Sequence, residues 1–210
     1  MNLAAEESQE RVGQYWHIFP MQVQAKRAIW RGIDSNTGVR FIDQAFPEEI
    51  RDRVDNQDMS IEFNNGSQWS LCGSNNYDRL VGANPVGLVF SEWALCDPHA
   101  WNYLRPILRE NDGWVLFITT YRGRNHAYQM VQKLKDNPDW YVDVRDITQT
   151  TRNDGTPVLT EADIEAERED GMPESLIQQE YYCSPIAANE GAYYGRQLYS
   201  LLESQRCRLN

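Results

Sequence analysis

Two places in the 210-residue chain put reactive side chains directly after an apolar run. Ser91 and Glu92 follow Val86-Gly87-Leu88-Val89-Phe90, and Thr119 and Thr120 follow Trp114-Val115-Leu116-Phe117-Ile118. Unbroken runs of this kind read as strands covered on both faces of a parallel sheet. In open parallel sheets, ligands bind outside the carboxyl ends of the strands. A carboxylate placed there beside a bound triphosphate can polarise an attacking water, and a neighbouring hydroxyl can sense the γ-phosphate and relay its loss to moving parts. Arg122 and Arg124 flank Gly123 at a helix start, a place where a phosphate can be held. Each group also has a plainer reading. Glu92 fits a solvated loop carboxylate, the threonines fit strand-end hydroxyls bonded to backbone, and the arginines fit a surface turn.

Other titratable residues make weaker cases. His17, His99 and His126 fall on separate elements, which argues against a shared metal site. Asp136, Asp139, Asp143 and Asp146 form a loose acidic run that reads as solvated surface rather than as a metal-dependent nuclease centre. Cys72, Cys96, Cys183 and Cys207 are far apart and form no C-x-x-C pair, so reduced thiols are expected.

The elements that must carry the strand-end groups alternate strand and helix, which predicts an α/β fold with a largely parallel sheet. A helix over residues 3–12 stops at Gly13. Tyr15 to Phe19 is a short buried strand ended by Pro20, and a helix follows with Ala25, Ala28, Ile29 and Ile33 on one face. Residues 34–58 read as polar and irregular, with a helical turn after Pro47. Met59, Ile61 and Phe63 alternate with polar residues, as do Trp69 and Leu71, with Asn65-Gly66 between them as a hairpin turn. Asp97 caps a helix that has Pro98 at its first position. Trp101, Leu104 and Leu108 lie on that helix's inner face, Pro106 is expected to kink it, and Asn111-Asp112-Gly113 ends it. After Trp114–Ile118, a further helix turns Ala127, Met130, Val131 and Leu134 inward, and Trp140, Val142 and Val144 alternate as another strand. Thr160 to Asp163 reads as a capping box opening an acidic helix, and residues 173–195 read as a connector on the surface.

Composition narrows the class. Apolar residues at 41% and charged residues at 24% argue against disorder. The net charge of −11 is the opposite of what a free-standing DNA-binding module carries. No apolar run reaches the ~18 residues needed to span a bilayer, and the acidic MNLAAEESQER start is unlike a signal peptide. A soluble intracellular protein is expected.

Taken together, these residues resemble the ATPase domain of the large terminase subunit, the DNA-packaging motor of tailed bacteriophages. VGLVFSEWAL (residues 86–95) resembles that family's Walker B strand, with the catalytic Glu at Glu92. GWVLFITTYRGRNHAY (113–128) resembles its coupling motif. WHIFPMQVQAKRAIW (16–30), RLVGANPVG (79–87) and QEYYCSPIAANEGAYYG (179–195) resemble the flanking segments and the connector toward a nuclease domain.

The resemblance implies a P-loop NTPase-like fold of the ASCE type, with a mostly parallel sheet, flanking helices and an inserted β-hairpin, incomplete at the N-terminus. It divides the chain into a partial ATPase domain (1–172) and a connector (173–210). It also implies ATP and Mg²⁺ as cofactors. Glu92 would polarise water, Thr119 or Thr120 would couple hydrolysis to motion, and Ser91, Arg122 and Arg124 would contact nucleotide. Implied partners are double-stranded phage DNA, the portal protein, the small terminase subunit and sister subunits of a motor ring, all in the host cytoplasm.

The chain departs from the family pattern in three ways. Its three lysines, Lys26, Lys133 and Lys135, do not follow a glycine, so no G-x-x-x-x-G-K-[ST] phosphate loop is present. Ser91 stands where the family usually has Asp. The metal-binding carboxylates of a nuclease domain are missing. These departures imply little ATPase activity in the chain alone and a sheet that lacks an element expected between the Walker B strand and its neighbour. They leave open a second reading, a non-enzymatic protein that binds terminase or portal and regulates packaging.

Overall fold

The computed structural model describes residues 1–80, 82–152 and 154–186. The chain divides into two compact units, Met1–Thr119 and the residues from Thr120 onward. In the first unit a six-stranded mixed sheet runs in the order β2-β3-β4-β1-β5-β6. Its strands are β1 (Gln14–Phe19), β2 (Arg51–Asp55), β3 (Ser60–Phe63), β4 (Gln68–Gly73), β5 (Pro85–Ser91) and β6 (Trp114–Ile118). β4, β1, β5 and β6 are mutually parallel, while β2, β3 and β4 form an antiparallel meander at the other side. The expected hairpin is therefore β3–β4, and β4 is also a full member of the parallel sheet.

Two layers cover the sheet. On one face, helix α1 (Asn2–Glu10) receives the Tyr15 hydroxyl, which donates to the carbonyls of Glu7 and Arg11. Trp30 stacks on Trp69 with ring centroids 6.4 Å apart, and Phe46, which ends the short α3 (Phe41–Ala45), lies 4.7 Å from the same indole. On the opposite face, α4 (Pro98–Glu110) buries Trp101, Leu104 and Leu108. Phe90 and Phe117 meet Trp101 edge-on. Asp97 caps α4 by accepting from the His99 N–H at 2.9 Å, and the helix runs continuously through Pro106. Gly87 is needed where it stands. A Cβ there would come within 2.6 Å of Tyr15 and 2.7 Å of Trp114, whose rings close over β5.

Several expectations are corrected. β5 is hydrogen-bonded to β1 on one side and to β6 on the other, so the strands that flank it are its direct neighbours. β6 is not covered on both faces. Among the described residues it is the outermost strand, and Leu116 and Ile118 are 39% and 52% exposed. Residues 51–55, expected to be irregular, form β2. Arg51, Asp52 and Arg53 read as loop in sequence, yet charged residues are what an edge strand uses to discourage further pairing. The helix after Pro20 begins as α2 (Gln22–Ala25) and widens into a π-turn over Lys26–Trp30. The wider turn shifts the inward phase, so Ala25 and Trp30 are buried, while Ala28 and Ile33 are exposed.

The second unit holds α5 (His126–Leu134), α6 (Glu161–Glu169) and α7 (Glu174–Glu180). Asn125 caps α5, and only its Ala127 is buried, with Met130, Val131 and Leu134 half-buried. Thr160 and Asp163 form the expected capping box, and Ile164 and Ile177 are buried. The strand expected over residues 140–144 does not form, and α7 occupies part of the expected connector. The rest of that connector, and Cys207, lie outside the described residues.

Candidate functional site at the carboxyl ends of the parallel strands

β5 delivers Ser91 and Glu92 to the carboxyl end of the sheet. Glu92 is exposed and adopts a left-handed backbone, φ 56° and ψ 43°. Such a conformation is disfavoured for a residue with a Cβ. It serves to turn the chain from β5 into a one-turn 3₁₀ helix, Trp93–Leu95, whose Leu95 N–H donates back to the Glu92 carbonyl at 2.8 Å. The carboxylate therefore projects from a sharp strand-to-helix elbow. Met59, Asp112 and Cys183 also have positive φ, but none of them ends a parallel strand.

Side chains from neighbouring strands fix this elbow. The Thr119 hydroxyl, just past β6, accepts the Ala94 N–H at 2.9 Å. Ala94 is buried, so this bond satisfies a donor that water cannot reach. The Ser74 hydroxyl, just past β4 and fully buried, donates to the Pro20 carbonyl and accepts the Asp97 N–H at 3.0 Å. It thereby ties the ends of β1 and β4 to the start of α4. Ser91 is half-buried, and its Oγ lies 2.7 Å from His17 Nε2. Burial pulls the His17 pKa down to about 3, so the ring is neutral.

Ser91, Glu92 and Thr119 are thus brought to one end of the first unit. Thr120, Arg122 and Arg124 belong to the second unit. Arg122 Nη1 is 2.6 Å from a Glu180 carboxylate oxygen, and the Arg124 guanidinium lies 5.9 Å from the centroid of the Tyr128 ring. Asp143 pairs with Arg145, while Asp146 accepts the Thr148 N–H as a cap. Among the described residues no group of three or more His, Cys, Asp and Glu is arranged to hold a metal ion. No described helix is long and apolar enough to cross a membrane. Sequence reading missed His17 and Ser74. The only sequence signal for His17 is an imidazole inside an otherwise apolar strand, and Ser74 carries none.

No protein-family model matches the chain, and no curated protein matches it. Solved structures do. The large terminase ATPase domain of Thermus phage P74-26 is similar with a TM-score of 0.55 at 20% identity, over 86% of this chain and 80% of that one. A mutant of the same domain gives a TM-score of 0.58 over the same spans. The large terminase of the thermophilic bacteriophage D6E in complex with ADP gives 0.57 at 12% identity, over 83% of this chain and 41% of that one. Its complex with ATP-γ-S gives 0.57 at 13% identity. At such identities the likeness is one of fold, and the six-stranded sheet with its flanking helices is similar to the P-loop NTPase-like ATPase domain of phage large terminases.

Proposed function

We propose that this chain acts in ATP-driven packaging of phage double-stranded DNA, as a part of a large terminase motor. The observation that carries the reading is the backbone of Glu92. A strained, exposed carboxylate at the end of the strand next to the middle of the sheet has no structural task that glycine or asparagine would not do better, and such strain gathers at functional sites. Glu92 would orient and polarise the water that attacks the γ-phosphate. Thr119 is favoured over Thr120 as the coupling residue, because its hydroxyl already holds the turn that carries Glu92. Arg122 and Arg124 would meet phosphate only by leaving Glu180 and Tyr128, which makes them the weaker part of the assignment.

Among the described residues no group of three or more His, Cys, Asp and Glu is arranged to hold a metal ion, and Mg²⁺ is proposed to arrive with the nucleotide. The phosphate loop is also absent from these 210 residues. We infer that its donors come from other polypeptide sequence, and that the chain alone hydrolyses ATP poorly. DNA, the portal protein and the small terminase subunit are the proposed partners, in the host cytoplasm. The test is ATP hydrolysis by the chain alone and after mixing with a polypeptide that carries a G-x-x-x-x-G-K-[ST] loop from the same genome. Hydrolysis that appears only in the mixture and is lost with Glu92→Ala supports the reading. Hydrolysis indifferent to Glu92→Ala, or none in the mixture, refutes it.

A second reading, a non-enzymatic regulator that binds terminase or portal, draws on the exposed Leu116 and Ile118 of β6. Failure to co-elute with those proteins would count against it.

A further inference from the structure

His17 is a buried polar side chain that the ATPase reading leaves without a task. It lies in β1, only 5% exposed, with its ring 5.0 Å from that of Phe19 and 6.3 Å from that of Trp69. Its Nε2 is 2.7 Å from Ser91 Oγ, and its Nδ1 is buried with no hydrogen-bond partner. A neutral imidazole carries one N–H, on one nitrogen or the other. On Nδ1, the proton would be a buried donor with nothing to meet, which native structures rarely tolerate. On Nε2, it is donated to Ser91, and only the Nδ1 lone pair goes unmet. An unmet lone pair is the lesser penalty.

This choice fixes what Ser91 can do. If Oγ accepts from His17, the Ser91 O–H must find another acceptor. Ser91 is half-buried, closes β5 and immediately precedes Glu92, so its donor is delivered to the carboxyl end of the sheet. An aspartate at this position would carry no donor and would take the waters of a metal ion. A hydroxyl held in this way suits an anionic oxygen instead.

We propose that His17 is a positioning residue whose Nε2–H holds Ser91 Oγ as an acceptor, so that the Ser91 O–H donates to a phosphate oxygen of the bound ligand. The identity of the ligand rests on the nucleotide reading above. The direction of the His17–Ser91 bond does not.

The test has two arms. Long-range ¹H–¹⁵N spectra of the wild-type chain read the His17 tautomer directly and need no variant to fold. The proton is expected on Nε2, and a proton on Nδ1 would mean that Ser91 donates to the ring, which overturns the proposal. The second arm titrates with magnesium ADP the chain mixed with the polypeptide that carries the G-x-x-x-x-G-K-[ST] loop. Ser91→Ala and His17→Met should each weaken binding about tenfold. His17→Gln, whose amide nitrogen offers a donor near the Nε2 position, should stay within about threefold of wild type. Equal losses in His17→Gln and His17→Met would sink the positioning role. A wild-type mixture that does not bind magnesium ADP would count against the nucleotide reading, and the tautomer would still decide the direction of the His17–Ser91 bond.

Discussion

Substituting Glu92 by glycine should make the protein more stable while removing its proposed activity. The reasoning starts from φ 56° and ψ 43° at Glu92. A left-handed backbone costs a residue with a Cβ about 1–2 kcal/mol. Glycine escapes that cost but adds freedom to the unfolded chain, worth about 0.5–1 kcal/mol against folding. The net gain for Glu92→Gly is therefore up to about 1.5 kcal/mol. For a chain of this size each ~1 kcal/mol raises Tm by ~2–4 °C. Glu92→Ala provides the control. It removes the same exposed carboxylate but keeps the Cβ, so its stability should stay within about 0.5 kcal/mol of wild type. Thermal unfolding of the three proteins, followed by circular dichroism, separates backbone strain from loss of charge. ATP hydrolysis in the reconstituted mixture should fall by about 10²–10⁴-fold in both variants, the range that a positioned acid–base group supplies. If Glu92→Gly is no more stable than Glu92→Ala, the elbow carries no strain and the argument from strain to function fails.

Other expectations follow from the same geometry. Thr119→Val removes the acceptor for the buried Ala94 N–H and should destabilise by about 1–3 kcal/mol, whereas Thr119→Ser should restore most of that in chemical denaturation. Leu88→Ala, at a fully buried position, should cost about 2–5 kcal/mol. Leu116→Ala, on the exposed side of β6, should cost well under half of the Leu88 value, and equal costs in urea titrations would contradict the open edge. His17 should make folding acid-sensitive. Its folded pKa is lowered to about 3, so between that value and the unfolded ~6.5 the unfolded chain binds the extra proton. Stability is then lost as pH falls through this window, by up to about 1.4 kcal/mol per pH unit. Comparing wild type with His17→Gln between pH 6 and pH 5 isolates this contribution, and parallel profiles would refute it.

The strands and caps that were legible in the sequence are those whose signals are local. Val86 to Phe90 is an apolar run in sequence and a central strand in the fold, paired on both sides. Asp97-Pro98 starts α4 because an N-cap acceptor followed by proline is a short-range device. The Asn65-Gly66 turn sits between β3 and β4 for the same reason, with Gly66 at φ 88°. Trp114 to Ile118 carries the same kind of apolar signal as β5, yet its position in the strand order leaves one side open. An apolar run records that a strand is buried somewhere along its faces, and it does not record which neighbours arrive. The π-turn at Lys26–Trp30 escaped for a related reason. A single widened turn moves Trp30 inward without altering the helical look of the sequence.

The site itself was half legible. Ser91, Glu92 and Thr119 stand at strand ends in the sequence, and the fold brings those ends together. What holds them in place was not visible, because each supporting bond spans the chain. His17 reaches Ser91 across 74 positions, Thr119 reaches Ala94 across 25, and Ser74 reaches Asp97 across 23. Each depends on strand order and register, which come from packing rather than from any local pattern. A strand-end carboxylate alone can be a solvated loop residue. It becomes a candidate for chemistry when its backbone is strained and its neighbours are fixed by buried hydrogen bonds, because a disordered loop could hold neither the strain nor the geometry. That combination occurs at Glu92, where the β5 elbow, the Thr119 hydroxyl and the His17–Ser91 pair converge at the carboxyl end of the parallel strands.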